Sequence, residues 1–330
     1  VKANTKDTTV YLNRQIKRYN ERRIEEISDK CLLRGKCTAV CPVGVQGDMM
    51  RIALRSVRKY KLAPSYANID ENALLERCNK FVNTSNNTVT SDRNQRVIYF
   101  AGCMTSLTPS ISKSTAAILQ KAGIRFEIMD KDGGICCGRP MLMAGRIAQA
   151  KEMIEKNTAI IKASGADTLL LSCPICYKIF KEQYQLEGIE VIHHTEFFDR
   201  LIESGKITLN GSDTRYVYHD PCELGRGCGI YEQPRNVVRK AGELVEAEKH
   251  GKESICCGGS LGSLTLGFDK RKALTENALA NLTIASPDTI VTACPLCRST
   301  FNRYSDIPVK DIAEIVDEAT RKKIVKKHKP

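Results

Sequence analysis

The sequence predicts an α/β fold of two pseudo-symmetric halves, each a parallel sheet flanked by helices, behind an N-terminal segment. Two observations carry that expectation. From residue 96 onward, ten cysteines recur as two sets of five: Cys103, the pair Cys136 and Cys137, Cys173 and Cys176; then Cys222, the pair Cys256 and Cys257, Cys294 and Cys297. The first cysteine and the pair are separated by 32 and 33 residues, the pair and the final C-P-x-C by 35 and 36, and corresponding cysteines are offset by 119 to 121. Within each set, short apolar runs alternate with helical stripes, the pattern of β-α units closed by crossovers.

Taken in order, residues 1–30 place Val10, Leu12, Ile16 and Ile24 in a strongly charged stretch over 8–27, which predicts a surface docking helix. Residues 31–95 hold Cys31, Cys37 and Cys41-Pro42 at the spacing of a C-x2-C-x2-C-x3-C-P ferredoxin run, with Arg34 where the second cysteine belongs. Glu76-Arg77-Cys78-Asn79 resembles the end of a second such run, and the Asn- and Thr-rich stretch 79–95 reads as a linker.

The first half, 96–209, opens on the apolar strand Val97–Phe100. A helix then runs from Pro109 to Lys121-Ala122-Gly123, since Pro suits the first helical position and Gly the residue after the last. A short strand over Phe126–Met129 leads to Ile135-Cys136-Cys137-Gly138. A helix is expected over 142–163, then a buried strand Thr168–Leu171 entering Cys173-Pro174-Ile175-Cys176. The second half, 210–330, repeats this: strand Tyr216–His219, a helix near Pro234 ending at Gly242, strand Leu244–Ala247, Ile255-Cys256-Cys257-Gly258, a helix over 268–285, and strand Thr289–Val291 entering Cys294-Pro295-Leu296-Cys297. The basic tail Arg321–Lys329 reads as a solvated helix end, with a partner-docking patch as the sharper alternative.

Composition narrows the function. A chain of 330 residues, 42% hydrophobic and 27% charged, describes a soluble globular protein. No apolar run approaches the roughly 18 residues of a membrane span, and no secretion signal opens the chain, so a cytoplasmic location is expected, with any membrane association arising through partners. A net charge of +13 suggests an acidic partner, but no Trp and no nucleic-acid-binding motif leave that class unsupported. Fifteen cysteines without a secretion signal are not a disulfide scaffold.

In parallel α/β sheets, loops at the carboxyl ends of strands converge on a crevice. Cys103, Cys173, Cys222 and Cys294 all follow predicted strands. Pro174 and Pro295 start helices whose free N–H groups favour thiolate, and Gly138 or Gly258 permits the tight backbone approach beside each vicinal pair. Zinc would close with four of the five ligands, and a vicinal disulfide would leave three thiols unused. A fifth ligand in both halves favours a larger metal–sulfur assembly. His219 and Glu223 flank Cys222 within His219-Asp220-Pro221-Cys222-Glu223-Leu224-Gly225-Arg226. They are the candidate catalytic residues: His219 could donate to a cluster sulfur or protonate a product thiolate, the alternative being a histidine satisfied by nearby backbone. His193 and His194 precede Thr195-Glu196 and read as a helix cap, with proton delivery as the alternative. Cys228 has no counterpart in the first half and reads as a spare thiol. Flavin and Walker signatures are absent, so electrons must come from another subunit.

The spacing C-x31–39-C-C-x35–36-C-x-x-C resembles the CCG signature of the B and D subunits of heterodisulfide reductase. Related proteins are the iron–sulfur subunits of glycolate, lactate and glycerol-3-phosphate oxidation, and thiol:fumarate reductase. The resemblance covers 96–330 and implies two Rossmann-like CCG repeats behind a degenerate, helical ferredoxin-like segment. It further implies one noncubane [4Fe-4S] cluster on each set of five cysteines, and that the family's second histidine is replaced by Glu223. In the N-terminal run, Cys31, Cys37 and Cys78 would share a further cluster with Arg34 as the gap and Cys41 left over; an incomplete cluster, one recruiting Cys41, and an empty docking domain all stay open. The activity implied is reduction of a disulfide, such as a coenzyme M–coenzyme B heterodisulfide, to two thiols, with electrons from a flavin or iron–sulfur partner subunit. The alternative is a non-catalytic relay subunit of a larger oxidoreductase.

Overall fold

The computed structural model describes residues 28, 31–39, 45–57, 96–106, 108–130, 135–259 and 266–321. The expected docking helix over 8–27, Cys41, Cys78, the 79–95 linker and the tail beyond Arg321 lie outside these residues.

Among the elements with described bounds, helices α1 (Lys36–Ala39) and α2 (Gly47–Val57) come first. Arg55 anchors α2: its buried guanidinium donates to the carbonyls of Ser28 and Cys31 and, in the first half, Met143. The first half follows as β1 (Arg96–Phe100), a 3-10 turn (Cys103–Ser106), α3 (Pro109–Lys121), β2 (Arg125–Ile128), α4 (Arg139–Met143), α5 (Ile147–Ala163), β3 (Thr168–Leu171), α6 (Pro174–Gln183), β4 (Glu190–His193) and α7 (His194–Glu203). The second half is β5 (Arg215–His219), α8 (Gly225–Cys228), α9 (Glu232–Ala241), β6 (Glu243–Val245), α10 (Phe268–Thr283), β7 (Thr289–Thr292), α11 (Pro295–Asn302), β8 (Val309–Asp311) and α12 (Ile312–Ala319).

Each half is one all-parallel sheet, ordered β2-β1-β3-β4 and β6-β5-β7-β8. In both, the strand order reverses between the first and third strands, the crevice where such folds place ligands. The strands there, Thr-Leu-Leu-Leu in β3 and Thr-Ile-Val-Thr in β7, are buried along every residue, because helices cover both faces of a parallel sheet. Between the sheets, α3 packs on α12 and α7 on α9, a swap that obeys the pseudo-twofold relation. Lys121 of α3 clasps Asp317 of α12 at 2.7 Å across that contact. Helices α7 and α12 start alike: His193 with Glu196, and Asp311 with Glu314, each close a capping box.

One expected helix is two. The stretch expected over 142–163 breaks at Gly145, whose φ of +78° favours glycine, and a Cβ there would collide with the Ser56 backbone nitrogen at the end of α2. Contact with the N-terminal helix therefore demands the break. Strands β4 and β8 and helix α12 are not among the elements the sequence predicts. Glu-Val-Ile-His and Val-Lys-Asp are too short to show a period, and they pair because β3 and β7 offer an open edge.

Candidate metal centre

The two sets of five thiols are assembled by the same elements in each half. Cys103 sits on the turn after β1 and Cys222 on the loop after β5. Cys173 and Cys294 cap α6 and α11, whose first residues are prolines, so Cys176 and Cys297 lie in the first helical turns. Within each half the side chains touch in one continuous chain. Cys103 meets Cys136, Cys136 meets Cys137, Cys137 meets Cys176, and Cys176 meets Cys173. In the second half the order is Cys222, Cys256, Cys257, Cys297, Cys294. Eight of the ten are buried, while Cys103 and Cys222, the first in each chain, are exposed and half-buried respectively.

Backbone restraints fix the vicinal pairs. Gly138 and Gly258 hold φ of +83° and +81°, and a Cβ on Gly258 would press within 2.8 Å of Thr275 Oγ1. That hydroxyl donates to the Cys257 carbonyl at 2.9 Å. In the first half Asn157 donates to the Cys136 carbonyl and Tyr184 to that of Cys137, both at 3.0 Å. Backbone N–H groups of Gly138 and Gly259 reach the sulfurs of Cys136 and Cys257 at 3.4 Å.

The strand loops are pinned by buried carboxylates. Asp130 accepts from the N–H groups of Ala101 (3.0 Å) and Gly102 (2.6 Å) ahead of Cys103, and burial raises its pKa to about 6. Asp220, two residues before Cys222, pairs with both ends of the Arg235 guanidinium at 2.8 and 2.9 Å and accepts from Gly251 N–H at 2.7 Å. The Ser254 hydroxyl donates to the Asp220 carbonyl at 3.1 Å, tying the loop of Cys222 to the segment that leads into Cys256.

Ten sulfurs so crowded cannot all ionise unaided. Hydrogen bonds from the Cys136 and then the Cys176 thiol pull Cys137 down to about 6, and contact with Cys222 and Cys257 holds Cys256 well below the ordinary range. Their neighbours Cys103, Cys176, Cys222, Cys257 and Cys297 are pushed up. Five thiolates at such close quarters need a polycation between them, and a metal–sulfur cluster supplies that charge. The donor set fits an iron–sulfur centre: sulfur-only in the first half and buried there except at Cys103, with two helix N-termini and backbone N–H groups aimed at sulfur.

The second set has additional neighbours. His219, at the end of β5 and 2% exposed, has a ring nitrogen that forms a group with the Cys257 and Cys297 sulfurs, all three atoms within 4.8 Å of one another. Burial lowers its pKa to about 4, so the imidazole is neutral. Glu223 is buried, 3.6 Å from Arg139 Nη2 and 3.5 Å from Lys178 Nζ. A gap of about 20 Å³ is lined by all five cysteines of this set together with Met143, Pro174 and Ile175 of the first half. Reciprocally, α11 of the second half packs on the turn that carries Cys103. Both sets therefore lie at the seam between the halves.

Beside that gap is a cavity of about 430 Å³, and Cys222 and Glu223 line both. Its charged lining pairs Arg34, Lys178 and Arg226 with Asp48, Glu182 and Glu223. Arg226 donates to the carbonyls of Arg34, Lys252 and Ser254, so the N-terminal segment roofs the cavity against the second half. Arg34 thus faces this cavity. Cys31 is half-buried and Cys37 exposed, and among the described residues neither joins a group of three ligand atoms. Cys228 is half-buried, and burial pushes it up to about 12. Sequence alone does not mark Arg139, Lys178, Asp130, Asn157 or Arg235. The one available signal is that Arg139 follows the first Cys-Cys-Gly where Gly259 follows the second.

Two chains of five touching thiols at one seam define a duplicated iron–sulfur protein. The signature of the CCG cysteine-rich domain matches residues 97–181 and again 216–302, and the chain belongs to that family. It is 31% identical over 241 residues to the D subunit of the dihydromethanophenazine:CoB–CoM heterodisulfide reductase of Methanosarcina acetivorans, covering 68% of this chain and 58% of that one. It is 27% identical over 313 residues to the B subunit of the fumarate reductase (CoM/CoB) of Methanothermobacter marburgensis, covering 90% of this chain and 62% of that one. With EtfAB:quinone oxidoreductase of Syntrophomonas wolfei, identity is 29% over 61% of this chain and 30% of that one. The chain thus spans less than two thirds of the length of these relatives. Among the described residues no helix is long and apolar enough to cross a membrane.

Proposed function

We propose that this chain is an oxidoreductase subunit that receives electrons from a flavin or iron–sulfur partner and reduces a disulfide to two thiols at the seam. The balance is RSSR′ + 2e⁻ + 2H⁺ → RSH + R′SH. A bound iron–sulfur cluster supplies one-electron transfer and an affinity for sulfur, and two such centres match a two-electron reaction. The noncubane four-iron form on each set is part of this reading, as is the likeness to relatives named for heterodisulfide reduction. The observation that carries it is that both five-thiol sets are complete and lie at one seam, with a cavity of about 430 Å³ ending on Cys222. A pocket of that size takes a drug-sized ligand.

The chain's own residues divide the remaining work. Arg34, Lys178 and Arg226 bind carboxylate, sulfonate or phosphate groups of the disulfide, while Asp48 and Glu182 suit any ammonium it carries. Glu223 stands where cavity and thiol site meet and passes a proton from the cavity side to a departing thiolate, held for that role by Arg139 and Lys178. Buried His219 excludes water from the sulfurs it adjoins.

Iron analysis of anaerobically reconstituted protein should give about eight irons per chain, or about twelve with an N-terminal centre, by four-iron arithmetic. Oxidised protein treated with coenzyme M, coenzyme B or a simple thiol should develop a new paramagnetic signal. If its clusters reduce normally and no thiol changes the spectrum, disulfide reduction is wrong and the relay role stands. Arg34 at a ferredoxin ligand position is the observation that favours the relay.

A further inference from the structure

The duplicated halves allow the two metal sites to be compared position by position, and they differ beside the sulfurs. The last residue of β1 is Phe100; the last residue of β5, 119 positions on and at the offset of Cys103 from Cys222, is His219. Both rings occupy the same slot. Phe100 meets Phe180 edge to face at 5.1 Å, and His219 meets Phe301 edge to face at 4.8 Å. Phe180 and Phe301 each follow the last cysteine of their C-P-x-C by four residues, one helical turn. A phenyl ring in the first half is thus exchanged for an imidazole in the second.

The exchange puts a nitrogen among sulfurs. In the second half the His219 nitrogen, Cys257 Sγ and Cys297 Sγ lie within 4.8 Å of one another, and Cys256 acts on the ring electrostatically. The corresponding edge of Phe100 carries only carbon and hydrogen. A buried imidazole needs a polar partner, and a metal–sulfur centre is the partner this slot presents.

We propose that the two sites are electronically inequivalent, with the His219 imidazole acting on the second centre and making it the more easily reduced of the two. The sign follows from the contact: an N–H donated to cluster or cysteine sulfur stabilises the extra negative charge of the reduced state. The preference for electrons is therefore placed at the centre whose Cys222 lines the large cavity. This inference rests on the iron–sulfur reading of the ten cysteines and not on the identity of any disulfide.

The test uses the reconstituted full chain with ¹⁵N only in histidine. Pulsed electron paramagnetic resonance of the reduced protein should show ¹⁵N coupling to one centre, lost in His219→Phe. A spectroscopic redox titration should resolve two steps. In His219→Phe, which installs the ring the first half already accommodates, the higher step should fall by at least tenfold in the reduced-to-oxidised ratio at fixed potential, about 59 mV for one electron. Phe100→His should raise the lower step, which keeps the test decisive if one variant folds poorly; iron content reports loading in both. No histidine coupling, or two steps unmoved by both substitutions at full iron content, overturns the proposal. Failure of the second set to bind iron overturns the iron–sulfur reading and this inference with it. Loss of disulfide reactivity with split potentials intact overturns the proposed activity alone.

Discussion

Replacing Arg235 with Met should disable one metal site and spare the other. Arg235 is 4% exposed and Asp220 3%, with salt-bridge distances of 2.8 and 2.9 Å between them, so neither charge is solvated when the other leaves. Breaking such a pair by removing one partner costs about 3–5 kcal/mol, because the orphaned carboxylate stays buried. Glu246, 2.8 Å from Arg235 Nε, also loses its partner, although it is more exposed and adds little. At about 2–4 °C per kcal/mol for a domain of this general size, the melting temperature should fall by on the order of 10 °C. The damage should be local, since Asp220 fixes the loop of Cys222 and, through Ser254, the approach to Cys256. Anaerobic iron analysis should therefore drop by about four irons per chain, the content of one cluster. Asp220→Asn with Arg235→Met removes both charges and should recover most of the stability, because the contact with the Gly251 N–H can persist. A melting temperature within about 2 °C of the parent, well inside the shift expected for a broken buried pair, would refute this account of how the second site is held, as would equal iron loss from both halves.

Other expectations follow from the same geometry. His193 is fully buried with its pKa lowered to about 3 by desolvation, against 6.5 unfolded, so the unfolded chain binds the extra proton and stability should fall as pH drops from about 6.5 towards 3. His193→Asn keeps a capping acceptor and abolishes that titration, so the stability difference between parent and variant should change by up to about 5 kcal/mol across the window and hold constant above about pH 7.5. Gly258→Ala meets both a positive φ and Thr275 Oγ1 at 2.8 Å; it should cost about 1–3 kcal/mol and lower iron in the second half, read by calorimetry and metal analysis. Lys178→Met withdraws the cation between Asp48 and Glu223 and should weaken disulfide binding about tenfold at unchanged iron content, measured by thiol-dependent spectral titration.

The cysteine spacing made the fold legible because ligands of one centre must return to one end of one sheet. Two β-α units of similar length between ligands are what that return requires, and the strand-then-cysteine order placed the rim correctly. The contact between halves was not legible. Lys121 meets Asp317 across 196 residues, and the swap of α3 onto α12 leaves no periodic trace in either helix alone. Arg235 and Asp220 are closer in sequence, yet an Arg on a helix with a charged face gives no sign that its guanidinium turns inward.

A duplicated chain offers a different kind of legibility, in its departures from its own repeat. Selection for a metal-binding scaffold acts on both halves alike, and the shared parts here are those that hold sulfur: the cysteine order, the positive-φ glycines and the prolines that start α6 and α11. Differences beside the sulfurs need another cause. Phe100 against His219 and Arg139 against Gly259 fall at matching offsets. His219 adjoins the second set and Arg139 reaches Glu223 beside Cys222, both at the seam. If each half held a cluster and did nothing else, neither difference would be needed, and burying an arginine whose Nε and Nη1 find no partner would carry a desolvation cost with no return. On the function proposed above, two centres with unequal tasks on one substrate account for both differences.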